Sequence, residues 1–385
     1  MRIGIDARFY GSIGKGLGRY TQKLIENLEK IDTQNDYFVF LRKENFAEYQ
    51  PANNNFQKVL ADYRWYTFAE QISMPELLKE YKLDLVHFPH FNVPIFYRKD
   101  FVVTIHDLIL IHFPTLRGTT LNPVMYWLKF AAYKLAIGSA IRRAKKIIAV
   151  SDFTRQDILN HYRVDPQKIV RTYEACDDFC NISDSDEPAI MRKYGLPVDN
   201  CGIIKPYLLY VGNPYPHKNL ERLIRSFKQL QAADKDLFLA LVGKDDYFYQ
   251  RLQCLVKAEA VKNVIFLGYV PDRDLDIIYK KAKLYVFPSL YEGFGIPPLE
   301  AMAKGVPVAS SDHPCMMEVL EDSACYFDAR NVEKIAQAIS QLLGDEKLQQ
   351  ELIEKGYKQI QKYSWKKMAL ETLEIYNGLF DAKQK

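Results

Sequence analysis

Glu292 and Glu300 stand eight positions apart in the stretch SLYEGFGIPPLEAMAKGVPV (residues 289–308), with two glycines and two prolines between them. The preceding KLYVFPS (283–289) is short, apolar and aromatic, so it reads as a buried strand. Pro297 or Pro298 suits the first helical position, where a missing N–H is not needed. LEAMAKG then carries helix formers up to Gly305, which fits a left-handed C-cap, and VPVAS reads as the next strand. Strand, loop, short helix, strand is the unit of a parallel sheet, whose ligands bind beyond the C-terminal strand ends. Gly293 and Gly295 let backbone approach a ligand, and the N–H groups opening the helix favour an anion such as phosphate. Glu292, in the loop, is placed to accept hydrogen bonds from ligand hydroxyls. Glu300, in the expected first turn, is placed to hold a vicinal diol such as a ribose. A purely structural use also exists: Glu300 would complement the helix dipole and Glu292 would be a solvated loop residue. The pairing at a strand end, with the glycines, favours a ligand.

Three further stretches carry chemistry. GSIGKGLGRY (11–20) follows the first strand and opens a helix, and its glycines permit close backbone approach. Its spacing is not that of a dinucleotide fingerprint, and no acid ends the second strand, where VFLRK stands. YVGNPYPHKNL (210–220) holds the equivalent place in the second half, and puts Lys218 before a helix as a point charge for phosphate. VVTIHDLI (102–109) puts His106 at a strand end, with Asp107 placed to orient the ring or cap the turn. HFPHFNVP (87–94) ends the preceding strand beside it. The carboxylate runs SDSDE and PDRDLD read as loop solvation and helix N-terminal charge, so no metal ligands are expected.

The elements that must position these residues alternate along the chain. Strands are expected at 2–7, 37–42, 83–89, 101–108, 146–151 and 168–175, with helices near 18–30, 66–80, 121–144 and 152–162. A second series has strands near 207–213, 237–243, 264–269, 283–289, 306–311 and 324–328. Alternation of this kind argues for doubly wound α/β domains. The expected organisation is a domain over 1–176, a linker over 177–206 containing a short helix, and a second domain over 207–364. A terminal helix over 365–385 is expected to return to the first domain. Two such domains imply a cleft suited to a two-substrate reaction.

At 385 residues, 48% apolar and 26% charged, the chain is long enough for two ordinary cores. The opening MRIGIDARFYGS reads as strand rather than signal peptide, and the six cysteines as reduced thiols of a cytoplasmic protein. Residues 1–175 carry 25 Lys/Arg against 18 Asp/Glu, a net +7 on a chain of net +4. Seven of those cations and no acid lie between Asp107 and Asp152. No nucleic-acid motif accompanies them, so nucleic acid is not an expected partner. The segment TTLNPVMYWLKFAAYKLAIGSAIRRAKK (119–146) sets basic residues beside an apolar face, a pattern that suits peripheral contact with an anionic membrane.

Taken in order, GLGRY, TIHDL, IIAVSDFT, VGNPYPHKN, FLGYVPD, the Glu292–Glu300 stretch and the terminal SW helix resemble glycosyltransferase family 4. The resemblance spans nearly the whole chain and implies a GT-B fold, two Rossmann-like domains facing across a cleft. It also implies a retaining, nucleotide-sugar-dependent hexosyltransferase without metal or other cofactor. On that basis Glu292 would bind the donor sugar and Glu300 the ribose diol. Backbone N–H groups of Phe294 and Gly295, with Lys218, would hold the diphosphate, approached by Gly16 and Gly18. His106 would contact the donor sugar and Val270 would lie beside the base. Asn213 stands where relatives often have arginine, and Lys15 replaces a frequent glycine. Similarity to mannosyl- and rhamnosyltransferases points to GDP-mannose as donor and a glycan or lipid-linked acceptor. The competing readings are a sugar phosphorylase of the same fold and a non-catalytic nucleotide-sugar-binding protein.

Overall fold

The computed structural model describes residues 1–115, 122–176, 187–199 and 203–384, without the side chains of Ser12, Lys15 and 382–384. The side chain of Lys15, which stands where relatives often have glycine, and most of the linker expected at 177–206 therefore lie outside what is described. Seven strands form the first sheet: β1 (Arg2–Asp6), β2 (Asp36–Leu41), β3 (Phe56–Leu60), β4 (Leu85–Phe88), β5 (Phe101–Ile105), β6 (Lys146–Ala149) and β7 (Ile169–Arg171). Their order is β3-β2-β1-β4-β5-β6-β7, parallel throughout. The second sheet has β8 (Tyr207–Val211), β9 (Phe238–Val242), β10 (Val264–Gly268), β11 (Leu284–Phe287), β12 (Val308–Ser311) and β13 (Cys325–Phe327). It runs β10-β9-β8-β11-β12-β13, also parallel.

Helices cover both faces of a parallel sheet, so its inner strands must be apolar on both sides. FVVTI in β5 and LYVF in β11 are buried along their full length. β3 is an edge strand buried only at Phe56 and Val59, and it has no counterpart among the sequence expectations. Its residues, FQKVL, lack the continuous apolar run that marks the central strands. In each sheet the winding direction reverses once, beside β1 and β4 in the first and beside β8 and β11 in the second. Such switch points open a crevice at the C-terminal strand ends.

Contacts divide the chain into two compact units, the first built from Met1–Pro114, Leu121–Glu174 and Ser364–Lys385, the second on Ala175–Tyr363. The described part of the linker is packed into the second unit. Its helix Glu187–Lys193 buries Met191 and ties down through Lys193 to Asp274 (2.6 Å) and Glu187 to Lys281 (2.6 Å). The terminal helix Trp365–Gln384 packs on helix Lys15–Ile31 of the first unit. Among the described residues, no helix is long and apolar enough to cross a membrane.

One polar contact anchors the terminal helix. Tyr376 is fully buried, and its hydroxyl meets His87 Nδ1 on β4 at 2.5 Å. The other ring nitrogen of His87 meets Thr104 Oγ1 on β5 at 2.8 Å. Both partners are hydroxyls, able to donate or accept, so a neutral ring is fully satisfied. Burial, with His106 nearby, pushes the His87 imidazole down to about 3. Tyr376→Phe would strand one ring nitrogen in the core, and we expect a loss of ~1–3 kcal/mol in urea unfolding.

Candidate active site

At the switch point of the second sheet, the loops after β8 and β11 bring Lys218 and Glu292 together. Lys218 Nζ donates to Glu292 Oε1 at 2.6 Å, with the carboxylate side chain 9% exposed and the lysine side chain 19%. Backbone bonds hold the two loops in register. Leu290 N–H donates to the His217 carbonyl at 2.7 Å. Asn219 takes the left-handed conformation (φ 64°), which asparagine tolerates better than most residues. Its amide donates to the carbonyls of Pro288 (3.0 Å) and Ala329 (2.6 Å). Lys218 is thus the residue before a pinned helix start, and its reach to Glu292 is set by main chain.

Burial alone would push the Glu292 carboxyl up, but Lys218 and the neighbouring His217 overcome this and hold it below the usual range. His217 itself, buried beside Lys218, is lowered to about 4. It is therefore neutral at pH 7. Because the Glu292 pKa is depressed on folding, its stabilising contribution is present above pH 4.5 and fades as pH falls through the folded value. Replacing Lys218 by methionine leaves a buried carboxylate unpaired. We expect Lys218→Met to cost on the order of 3–5 kcal/mol at neutral pH, with the deficit shrinking in acid, measured by urea unfolding across pH.

The helix after Glu292 runs Ile296–Ala303 and is capped by Gly295 in the left-handed region (φ 92°). The positive φ is what favours glycine there; a Cβ on Gly295 would also press on the flexible end of the Met316 side chain, which can shift. Pro297 occupies the second helical position, and Gly305 (φ 69°) follows the C-terminus. Glu300 lies past the first turn, where the dipole field has faded, so dipole compensation does not account for it. It is 4% exposed and accepts from Tyr279 Oη at 3.0 Å. The Phe294 ring stands edge-on to Tyr363 at 5.4 Å and anchors the loop, leaving backbone as the part able to serve a ligand. Asn213 and Val270 sit on the same edge of the sheet, after β8 and β10. The Asn213 carbonyl accepts from Tyr210 Oη at 3.1 Å, and Val270 is buried. Glu292, Glu300, Lys218, Asn213, Val270, Phe294 and Gly295 all belong to one unit.

Gly16, Gly18 and His106 belong to the other. A 3-10 turn over Gly11–Gly14 leads into helix Lys15–Ile31, three residues earlier than the expected start at 18. Both glycines are therefore helical. A Cβ on Gly18 would lie 2.1 Å from the Gly11 carbonyl oxygen, so internal packing already demands glycine there. Gly16 is exposed, with open space where its side chain would be.

His106 lies just past the end of β5. Its Nδ1 donates to Glu174 Oε1 (2.8 Å) and its Nε2 to the Pro89 carbonyl (2.9 Å), with the Tyr20 ring edge-on at 4.7 Å. Asp107 caps the following turn by accepting from Ile109 N–H at 2.9 Å, and Glu174 orients the ring. Glu174, 68 positions away in sequence, escaped the sequence reading because only the fold brings β7's exit to β5's. Burial lowers the His106 pKa, but Glu174 and the Pro89 carbonyl outweigh it and the net shift is upward. Two acceptors on one ring favour imidazolium, the reverse of His87. A raised folded pKa stabilises below the unfolded value of about 6.5 and ceases to do so as pH rises through the folded one. Glu174→Gln should lower the His106 pKa in an NMR titration, and the stability gap between variant and wild type should close at alkaline pH.

A second constellation missed in the sequence is Arg8, fully buried just after β1. It donates to Asp6 Oδ1 and Oδ2 (2.7 Å each) and pairs with buried Glu70 (2.6 Å). Phe9 beside it stacks on Trp65 at 4.4 Å.

Two doubly wound parallel sheets of this kind define the GT-B fold. Sucrose-phosphate synthase from Thermosynechococcus elongatus superposes with a TM-score of 0.78 at 19% identity, over 99% of this chain and 100% of that one. Residues 14–178 match the glycosyltransferase family 4 profile, and residues 204–359 match glycosyl transferases group 1. The O-antigen chain mannosyltransferase B of Escherichia coli is 30% identical over 308 residues, 78% of this chain and 76% of that protein. The O-antigen chain mannosyltransferase RfbU of Salmonella typhimurium is 27% identical over 355 residues, 86% of this chain and 90% of that protein. The chain belongs to glycosyltransferase family 4 and is a nucleotide-sugar-dependent glycosyltransferase.

Proposed function

We propose that this glycosyltransferase moves mannose from GDP-mannose to a glycan or lipid-linked acceptor in surface polysaccharide synthesis, with retention at the anomeric carbon. The observation that carries the reading is the Lys218–Glu292 pair beside the Gly295-capped helix at the second switch point. The relatives named for O-antigen mannosyl transfer supply the sugar. As the anomeric bond breaks, charge builds on the leaving diphosphate. Lys218 and the N–H groups of Phe294 and Gly295 are fixed donors for it, and preorganised donors need no reorganisation as the charge forms. In this reading the chemistry runs without a metal. Glu292 holds the sugar hydroxyls and keeps Lys218 in place. Glu300 takes the ribose diol, with Val270 beside the base and Asn213 near the phosphates. On the family resemblance, Gly16 and Gly18 serve the diphosphate and His106 serves the donor sugar. A non-catalytic binding protein would bind donor without turnover, and a phosphorylase would need free phosphate.

A panel of nucleotide sugars, followed by thermal shift and by donor hydrolysis, tests the donor; failure of GDP-mannose to stabilise or turn over defeats the mannose assignment. Glu300→Ala should weaken nucleoside diphosphate binding by ~1.5–3 kcal/mol, whereas Glu292→Ala should lower turnover more than affinity. Equal affinity losses would contradict that division. EDTA should leave turnover intact.

A lipid-linked acceptor would require contact with a membrane, and helix Pro123–Arg143 supports peripheral binding at its cytoplasmic face. Val124, Leu128 and Leu135 follow one another at helical spacing and are 70%, 61% and 65% exposed. Arg142, Arg143, Lys145 and Lys146 follow; no acid lies between Asp107 and Asp152 in sequence, and Lys145 reaches Asp100 at 3.5 Å. Anionic lipid is the occupant this charge fits, at about 1 kcal/mol per basic residue near the surface. Charge reversal of the four should abolish salt-sensitive co-sedimentation with anionic vesicles while sparing donor hydrolysis.

A further inference from the structure

Outside the residues assigned to the donor, the first unit gathers a second cluster of ligating side chains. Helix Asp152–His161 carries Asp157 and His161 at i and i+4, hence on one face. The short helix Ile109–His112 delivers His112 to the same point. His112 Nε2 lies 3.0 Å and 2.9 Å from the two Asp157 oxygens. His161 Nδ1 donates to the Asp157 main-chain carbonyl at 2.9 Å and lies 3.2 Å from Asp157 Oδ1, and the two imidazoles meet edge to face at 4.9 Å. One ligating atom from each residue falls within 4.8 Å of the others.

We propose that His112, Asp157 and His161 form a binding site for a divalent first-row transition ion such as zinc. The donor set is two imidazoles and one carboxylate, the mixed nitrogen and oxygen set that such ions take. A tetrahedral ion with bonds of about 2.0–2.1 Å separates its ligands by roughly 3.4 Å, so the His–Asp contacts of 2.9 to 3.2 Å would widen slightly while the two imidazole nitrogens, within 4.8 Å, draw together. The burial pattern also fits. The Asp157 side chain is 6% exposed and forms the floor, while the His112 and His161 side chains, at 31% and 33%, leave the fourth position open to water. Binding requires each ligating nitrogen to give up its hydrogen, which for His161 means shifting the proton to Nε2 and releasing the bond to the Asp157 carbonyl. For His112 the proton moves to the other ring nitrogen, and the Asp157 carboxylate then bonds to the ion in place of that hydrogen.

Such an ion would brace the chain beyond His106. The start of helix Asp152–His161 is already attached there, because Thr154 Oγ1 donates to the His106 carbonyl at 3.3 Å. The ion would clamp the other end of that helix to the segment that follows Asp107. The role is structural, distinct from sugar transfer, and is read without measuring activity.

The test is titration of zinc, by calorimetry, into the full chain free of any polyhistidine tag, with cobalt as a visible-absorption probe of coordination. We expect one ion per chain, a rise in the thermal midpoint with zinc, and a tetrahedral cobalt spectrum. His112→Ala and His161→Ala are partly exposed changes that leave the fold intact. Each should weaken binding by at least the roughly 10–100-fold typical of changes even outside the ligand set. Asp157→Asn should do the same. Wild-type protein that binds no zinc, or variants that bind it as tightly as wild type, would overturn the proposal.

Discussion

The second unit is organised around one buried ion pair. Taking a lysine and a carboxylate out of water is unfavourable unless geometry is good and each partner is held in place. Here the geometry comes from backbone. Asn219 bridges the exit of β11 and the Ala329 carbonyl, and the His217 carbonyl receives Leu290 N–H. The strand order places β8 next to β11, so their two exit loops are neighbours although 74 residues separate Lys218 from Glu292. The pair keeps Glu292 ionised at neutral pH. It also holds a cation beside the N–H groups of a helix start, where a diphosphate is most readily accepted.

The first unit uses histidine twice, with opposite outcomes from the same kind of burial. His87 meets two hydroxyls and stays neutral, whereas His106 meets a carboxylate and a carbonyl that raise its pKa. Partner chemistry, not depth, decides the direction of the shift. The two sites are connected through side chains. Thr104, bonded to His87, also meets Tyr20 Oη at 3.1 Å, and the Tyr20 ring packs against His106. A terminal helix anchored on His87 thus belongs to the same polar network as the His106 ring near the end of β5.

The two glycine-rich stretches show how one residue type serves different needs. Gly295 is required by backbone conformation, and Gly18 by the carbonyls of the turn that precedes its helix. Gly16 faces open space, which is the condition a close-approaching ligand requires.

Local order was legible in the chain itself. Continuous apolar runs such as FVVTI and YLLYV mark strands covered on both faces, and proline before LEAMAKG with glycine after it bounds a helix. The same reading reached Glu292, Glu300, Lys218 and His106, because chemistry-bearing residues after strands stand out against apolar runs. It misplaced Glu300 in the first helical turn, since a helix start is uncertain by a residue or two without its cap geometry. It did not find β3, whose FQKVL has neither a continuous apolar run nor an alternation, nor the partners of the residues it did find. Glu174 on His106, Lys218 on Glu292, Tyr376 on His87 and His112 beside Asp157 are all long-range pairings. No local period records them. Spacing along the chain determines which residues leave a strand together, but only strand order in the folded sheet determines which exits meet, and with them which charges are paired.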